Sequence, residues 1–458
     1  MDREKRHKRV VRQRILAIIF TILVLAAITF GIVIGIKYLK DSGLFDRKKE
    51  PEAEVVSEVP YEEPSTVDDS WIAVEKEEIV DDYADVDTSV LSEDEIPAAG
   101  APVDSDEEIE SIISNLDMEE KVAQLFIVTP EEITGMTTVT RAGDTTRDAL
   151  TLYPVGGLIY FAQNFEDPDQ TKEMLANTKQ YITEACGIEP FLATDEEGGR
   201  VARLAENEAF GIENVGPMAD IGKLGDTKAS DAAYDAGTKI GKYMSELGFN
   251  LDFAPVADVV TEQISGNAIG DRSFGSDPEM VSKLSLQFAS GLQENGVIPC
   301  FKHFPGHGSV TGDTHEKPVV LDKTKNELYA SDLLPFQNAI TNDAPMIMVS
   351  HLSCPGVTDD ETPASLSSVM LTDMLRGEMG YKGIIITDSF QMGAVTSIYP
   401  DSGDAAVTAI KAGADIILMP EDFNEAYHAV LSAASSGEID SGKIDDSLRR
   451  ILRVKLGR

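Results

Sequence analysis

Gly296-Val297-Ile298-Pro299-Cys300-Phe301, followed at once by Lys302-His303-Phe304-Pro305-Gly306-His307-Gly308 and Ser309-Val310-Thr311-Gly312-Asp313-Thr314-His315, is the stretch on which the fold turns. Its first six residues are apolar and read as a short buried strand. Pro305, Gly306 and Gly308 then punctuate a loop rather than continue a sheet. The chain has six histidines, and three of them lie in this strand-and-loop unit. Asp313 stands two residues before His315, where a carboxylate can orient an imidazole and favour its charged form. A polar loop whose histidines merely bond backbone is the plainer reading. Three histidines clustered at one strand end argue against it.

Working outward, seven more apolar runs of similar length recur. With 297–301 they are 122–128, 157–161, 191–194, 250–254, 346–350, 383–387 and 415–419. Helix-like segments lie between them, at 171–185, 232–247, 278–295, 328–339 and 404–412. Strands alternating with helices imply a parallel sheet, and eight such strands suit a single closed (β/α)8 barrel of the TIM type. The barrel is expected over 106–458, with 439–456 as its closing helix and no second domain after it.

The chain before the barrel has a different character. Residues 1–14 hold seven Lys and Arg and form a basic tail, after which 15–36 run without a charge. As a helix these 22 residues would be about 33 Å long, enough to cross a hydrocarbon core. A cleaved signal peptide needs a shorter apolar region and a small-residue cleavage site, and neither is present. No cysteine follows to take a lipid. A retained transmembrane anchor is therefore expected. Seven basic residues before it against five after it (Lys37, Lys40, Arg47, Lys48, Lys49) place the N-terminus inside and the body outside a cell membrane. Residues 41–110 carry 25 Asp and Glu against four Lys and Arg, without a sustained apolar period. Such composition cannot offset its ordering entropy, so 37–105 read as a disordered acidic linker.

A formal charge of -41 argues against nucleic acid as a partner. Cys186, Cys300 and Cys354 are too few and too scattered for a disulfide framework or a metal knuckle, and read as small buried hydrophobes. No cofactor is expected.

In a barrel of this kind, functional side chains sit where strands run into the following helices. The third strand ends in Asp195-Glu196-Glu197-Gly198-Gly199-Arg200, with Arg203 just beyond. The fourth ends in Pro255-Val256-Ala257-Asp258, and its loop carries Gly270-Asp271-Arg272-Ser273-Phe274-Gly275. The fifth supplies Lys302, His303 and the Asp313–His315 pair, the sixth ends at His351, and the seventh at Thr387-Asp388. Carboxylates and cations converging on one rim suit a substrate dense with hydroxyls, such as a sugar. Asp388 follows an apolar strand and is aimed out of the barrel top, although capping the next helix is a competing use. Retaining glycoside hydrolysis needs a nucleophile carboxylate and, on the leaving-group side, an acid that later works as a base. Asp388 and the His315–Asp313 pair fill those roles, since an imidazole donates and accepts protons near neutral pH.

From Asp117 to the C-terminus these residues resemble the glycoside hydrolase family 3 barrel, in its β-N-acetylhexosaminidase branch. The resemblance is carried by Asp195-Glu196-Glu197-Gly198-Gly199-Arg200-Val201, Leu251-Asp252-Phe253-Ala254-Pro255-Val256, Gly270-Asp271-Arg272-Ser273-Phe274, the stretch from Lys302 to His315, and Thr387-Asp388. It implies that His315, held by Asp313, is the acid/base and Asp388 the nucleophile. It further implies that Asp195, Arg203, Arg272, Lys302 and His303 bind the sugar. Many relatives that act on glucosides draw their acid from a second domain, which is not expected here, and this favours the hexosaminidase branch. Thr314 stands where relatives often carry Ser, and 131–150 make a long first loop of unassigned role on what is expected to be the leaving-group side.

The expectation is thus an exo-acting, retaining β-N-acetylglucosaminidase tethered outside a membrane, removing terminal GlcNAc from peptidoglycan-type oligosaccharides or muropeptides. Three rivals stand beside it. A metal-dependent hydrolase would use His303, His307, His315 and Asp313 as ligands, but the first strand lacks the histidine pair such barrels usually carry. A non-catalytic wall-binding barrel would be acidic against an anionic wall. A β-glucosidase or β-xylosidase would keep the chemistry and change the sugar.

Overall fold

A computed structural model describes residues 105–260 and 267–457. The basic tail, the expected anchor and the expected linker lie outside them, apart from residue 105. Among the described residues, no helix is long and apolar enough to cross a membrane.

Eight parallel strands close into a barrel: β1 (Phe126–Val128), β2 (Gly157–Ile159), β3 (Phe191–Thr194), β4 (Leu251–Asp252), β5 (Ile298–Phe304), β6 (Met346–Val349), β7 (Ile384–Ser389) and β8 (Ile416–Leu418). Each pairs with its neighbours in sequence, and β8 returns to β1 through Phe126 opposite Ile417. Strands buried on both faces read as unbroken apolar runs rather than alternating ones. That is why Ile384-Ile385-Ile386 and Met346-Ile347-Met348-Val349 are visible in the sequence, and all seven side chains are buried.

The outer helices start and stop where local chemistry directs. Asp167 and Asp277 cap helices Pro168–Cys186 and Pro278–Glu294, accepting hydrogen bonds from first-turn amides while proline occupies the first helical position. Gly187 and Gly248 end their helices at φ of 81° and 104°, a conformation that favours glycine.

Three expectations need correction. Val122 and Ala123 belong to a helix, Met118–Ala123, and not to the first strand; the capping box of Asp117 and Glu120 starts that helix ahead of the apolar run. The helix expected over 328–339 is two, Lys325–Ala330 and Leu334–Thr341, because Ser331 and the Pro335 that follows break it. Strand β5 does not stop at Phe301 but continues through Lys302, His303 and Phe304, so a strand and not a loop holds Lys302 and His303. Phe423–Ser436 is the helix that follows β8, and the final helix, Ser441–Lys455, crosses the N-terminal ends of the strands. There Lys455 Nζ donates to the carbonyl of Gly156 (2.8 Å), and Arg450 pairs with the buried Asp415. Cys300 and Cys354 are buried as expected, Cys186 is partly exposed, and all three are free thiols.

Candidate active site

The C-terminal ends of the strands bring most of the named residues together. The continuation of β5 places Lys302 and His303 in adjacent positions, joined by a cis peptide bond. The two side chains find different partners at the barrel mouth. Lys302 Nζ reaches Asp195 Oδ1 (2.7 Å) and Glu197 Oε1 (2.6 Å). Glu197 in turn takes Arg272 bidentately, through Nε and Nη2 at 2.7 Å each. Two carboxylates and two cations thus form one line, Asp195–Lys302–Glu197–Arg272, with Lys302 and Glu197 buried.

The charges hold one another. Burial opposes ionisation of Glu197, but the Arg272 and Lys302 cations outweigh it and keep the carboxyl far below its usual range. Burial likewise lowers Lys302, yet Asp195 and Glu197 raise it further, so the ammonium stays charged. Arg272 is raised for the same reason.

His303 turns its Nδ1 to Asp258 Oδ2 (2.7 Å), and the other oxygen of Asp258 accepts the backbone N–H of His307 (2.6 Å). Burial raises the carboxyl of Asp258, and the His303 imidazole more than offsets this, so Asp258 stays below its ordinary value. The carboxylate fixes the His303 ring.

Asp388 lies near the end of β7, partly exposed at the barrel mouth. Its Oδ1 accepts the backbone N–H of Ser389 (2.8 Å). Burial raises its pKa, but at the acid pH where it titrates, the charges of His303, His351 and His315 outweigh burial and hold it below the usual range. His351, buried, bridges the carbonyl of Ser389 (Nε2, 2.8 Å) and the hydroxyl of Ser365 (Nδ1, 2.8 Å). Burial lowers its pKa. The neutral ring therefore carries its proton on Nε2, donates to that carbonyl and accepts from Ser365.

His315 stands above this floor on the loop after β5. Its Nδ1 and its backbone N–H both meet Asp313 Oδ1, at 2.7 and 2.9 Å. The hydrogen bond to Asp313 raises the imidazole pKa, and the Asp388 charge adds to the rise. The same bond lowers Asp313 to about 2. The His315 side chain is 70% exposed, open to a substrate arriving from solvent.

Arg203 is placed differently. Its guanidinium lies over the ring of Phe161, 5.9 Å from the centroid, on the β2 side of the mouth, where it favours ionisation of Glu196, a carboxyl that burial pushes up to about 7. The first loop, expected over 131–150, is largely taken up by two helices that overrun its ends, Pro130–Thr134 and Asp144–Leu152. It is tied to the loop after β2 through Glu131 and Asn164 (2.6 Å).

Glu197, Asp258 and His351 were legible only as strand-end residues, not as members of the site. Their signal was position: each follows a barrel strand, Glu197 by three residues, Asp258 by six and His351 by two. Among the described residues, no group of three or more His, Cys, Asp or Glu is arranged to hold a metal ion.

A closed parallel barrel with carboxylates, imidazoles and cations gathered at the strand C-termini is the layout of a glycoside hydrolase of the (β/α)8 class. Residues 117–454 match the N-terminal domain of glycosyl hydrolase family 3, and the chain belongs to that family. It is 30% identical over 330 residues to "Beta-hexosaminidase A" of Pseudoalteromonas piscicida, an alignment covering 67% of this chain and 54% of that protein. It is 33% identical over 344 residues to "Beta-hexosaminidase LpqI" of Mycobacterium tuberculosis, covering 73% of this chain and 82% of the relative. Among solved structures it resembles a family 3 β-N-acetylglucosaminidase from a Paenibacillus species, at 35% identity and a TM-score of 0.68. That likeness covers 74% of this chain and 62% of the other.

Proposed function

We propose that the protein is an exo-acting, retaining β-N-acetylglucosaminidase. The observation that carries this reading is the pairing at one barrel mouth of an ionised carboxylate, Asp388, with an imidazole, His315, whose proton affinity is raised by Asp313 and by Asp388 itself. Family membership and relatives named β-hexosaminidase support the choice of sugar.

In the first step an Asp388 oxygen attacks the anomeric carbon while His315 gives its proton to the glycosidic oxygen. The C–O bond breaks, the aglycone leaves as an alcohol, and the sugar is held as an ester on Asp388. Water then attacks the same carbon, His315 takes the water proton, and Asp388 leaves as carboxylate, releasing GlcNAc with its configuration retained. Asp195, Lys302, Arg272, His303 and Arg203 hold the sugar through its hydroxyls and N-acetyl group. The natural substrates are GlcNAc-terminated fragments of peptidoglycan type.

The N-terminal region completes the proposal. Residues 15–36 anchor the chain in a membrane with its N-terminus inside, and the acidic segment 37–105 sets the barrel on the outer side. The support is compositional: a 22-residue run without a charge behind seven basic residues. Recovery of the full chain in the soluble fraction after cell lysis would remove this part.

The sugar is tested by comparing rates of the full chain on 4-nitrophenyl β-GlcNAc and 4-nitrophenyl β-glucoside with a chelator present. Release from β-GlcNAc alone is expected. A preference for the glucoside would overturn the hexosaminidase reading while leaving the barrel and Asp388 in place.

A further inference from the structure

The residue between Asp313 and His315 behaves unlike its neighbours. The side chains of Asp313 and His315 are 42% and 70% exposed, whereas Thr314 is buried, with 2% of its surface accessible. Its hydroxyl meets His307 Nε2 at 3.1 Å. His307 is itself buried and fixed through its backbone N–H to Asp258, the same carboxylate that orients His303. The loop is held from the other side as well. The carbonyls of Thr314 and His315 accept the backbone N–H groups of Ala394 (3.1 Å) and Gly393 (2.8 Å). These belong to the first turn of helix Gly393–Thr396, whose N–H groups have no partner within the helix. That helix follows Asp388 by only a few residues.

Gly393 makes this approach possible. A Cβ at 393 would stand 2.4 Å from the carbonyl oxygen of Glu316, 2.7 Å from its carbon and 2.9 Å from the carbonyl oxygen of His315. All three are backbone atoms of the loop, so no side chain can swing aside. Gly393 does not have a positive φ, so its own backbone tolerates alanine and the obstruction lies between the Cβ and the loop.

We infer that His307, Thr314 and Gly393 are positioning residues that clasp the Asp313–His315 loop to the turn behind Asp388, setting the height of His315 over the glycosidic oxygen. The inference rests on His315 being the acid/base. Proton transfer requires heavy atoms within about 2.6–3.2 Å, and a 1 Å misplacement costs on the order of 10²-fold. Moving the carbonyl of Glu316 from 2.4 Å to an ordinary contact beyond 3.4 Å displaces the loop by about that much. The clasp acts on the acid and leaves the nucleophile in place.

A leaving-group series separates these effects. The kcat/KM for aryl β-GlcNAc substrates reports the first displacement, which needs an acid for phenyl and little help for 2,4-dinitrophenyl. Gly393→Ala and Thr314→Val should each lose about 10²-fold in kcat/KM on the phenyl substrate and less than about threefold on the dinitrophenyl one. His315→Ala should show the same selectivity, more strongly. Thr314→Ser keeps the hydroxyl and should restore the phenyl rate. Equal losses on both substrates in Gly393→Ala and Thr314→Val, beside a selective His315→Ala, would overturn the clasp and leave the acid assignment standing. So would unchanged rates in both variants. A His315→Ala enzyme without selectivity would overturn the acid assignment, and the clasp with it.

Discussion

Replacing Glu197 with Gln removes one negative charge from the centre of the buried line Asp195–Lys302–Glu197–Arg272 and keeps the side-chain shape. Glu197 accepts two bonds from Arg272 at 2.7 Å and one from Lys302 at 2.6 Å. A hydrogen bond to a charged group contributes about 1.5–3 kcal/mol. Lys302 keeps Asp195 at 2.7 Å, and the Gln carbonyl still accepts one bond. The uncompensated loss therefore falls mainly on Arg272, whose side chain is only 14% exposed. Breaking a buried pair from one side costs about 3–5 kcal/mol, a large share of the roughly 5–15 kcal/mol that holds a typical domain. Urea unfolding at neutral pH should show this loss as a lower midpoint. Because the folded-state value of Glu197 is depressed, its contribution is complete above the free glutamate value of about 4.3 and fades as pH falls below it. The gap between wild type and variant should narrow accordingly in acid. KM for the β-GlcNAc substrate should rise with kcat less affected, since Arg272 loses its aim while Asp388 and His315 do not move. A variant within about 0.5 kcal/mol of wild type, with unchanged KM, would refute the view that Glu197 organises the sugar-binding cations.

Further outcomes follow from other parts of the site and the fold. Asp313→Asn removes the main cause that raises His315, so the alkaline limb of the kcat/KM profile should move to lower pH; a limb that stays in place would detach it from His315. Asp388→Asn should lower kcat by more than about 10³-fold without shifting the unfolding midpoint downward, as read by steady-state rates and urea titration. Lys455 sits beneath the barrel over the Phe191 ring, and burial brings its pKa down to about 7. The unfolded chain, with lysine near 10.4, then binds more protons between those values, so stability should rise across that interval. In Lys455→Met this rise should be smaller, measured by urea unfolding at a series of pH values.

Much of the barrel was readable because its strands are buried on both faces and so appear as short apolar runs. Strands β2, β3 and β6 fall where those runs lie. Boundaries failed where a local signal overrode the run, as when the Asp117 capping box drew Val122 into a helix. The end of β5 was misplaced for a related reason. Lys302 and His303 are polar and read as loop, yet their partners Asp195, Glu197 and Asp258 let a strand carry them. The pairings themselves were hidden, because Glu197 meets Lys302 across 105 positions of sequence and only closure of the barrel brings them together. Thr314 stood out in the sequence only as a departure from a pattern. Its burial against His307 gives it a physical role.

A covalent ester on Asp388 separates the proposed mechanism from its alternatives, and that ester can be trapped. The full chain would be treated with a 5-fluoro-GlcNAc donor carrying a good leaving group, which slows release of the sugar more than its capture. Intact-mass measurement and peptide mapping would follow. One added sugar per chain, on the peptide containing Asp388 and lost in Asp388→Asn, is the predicted result. A label on another residue, or turnover with no label and inverted product configuration, would contradict the account.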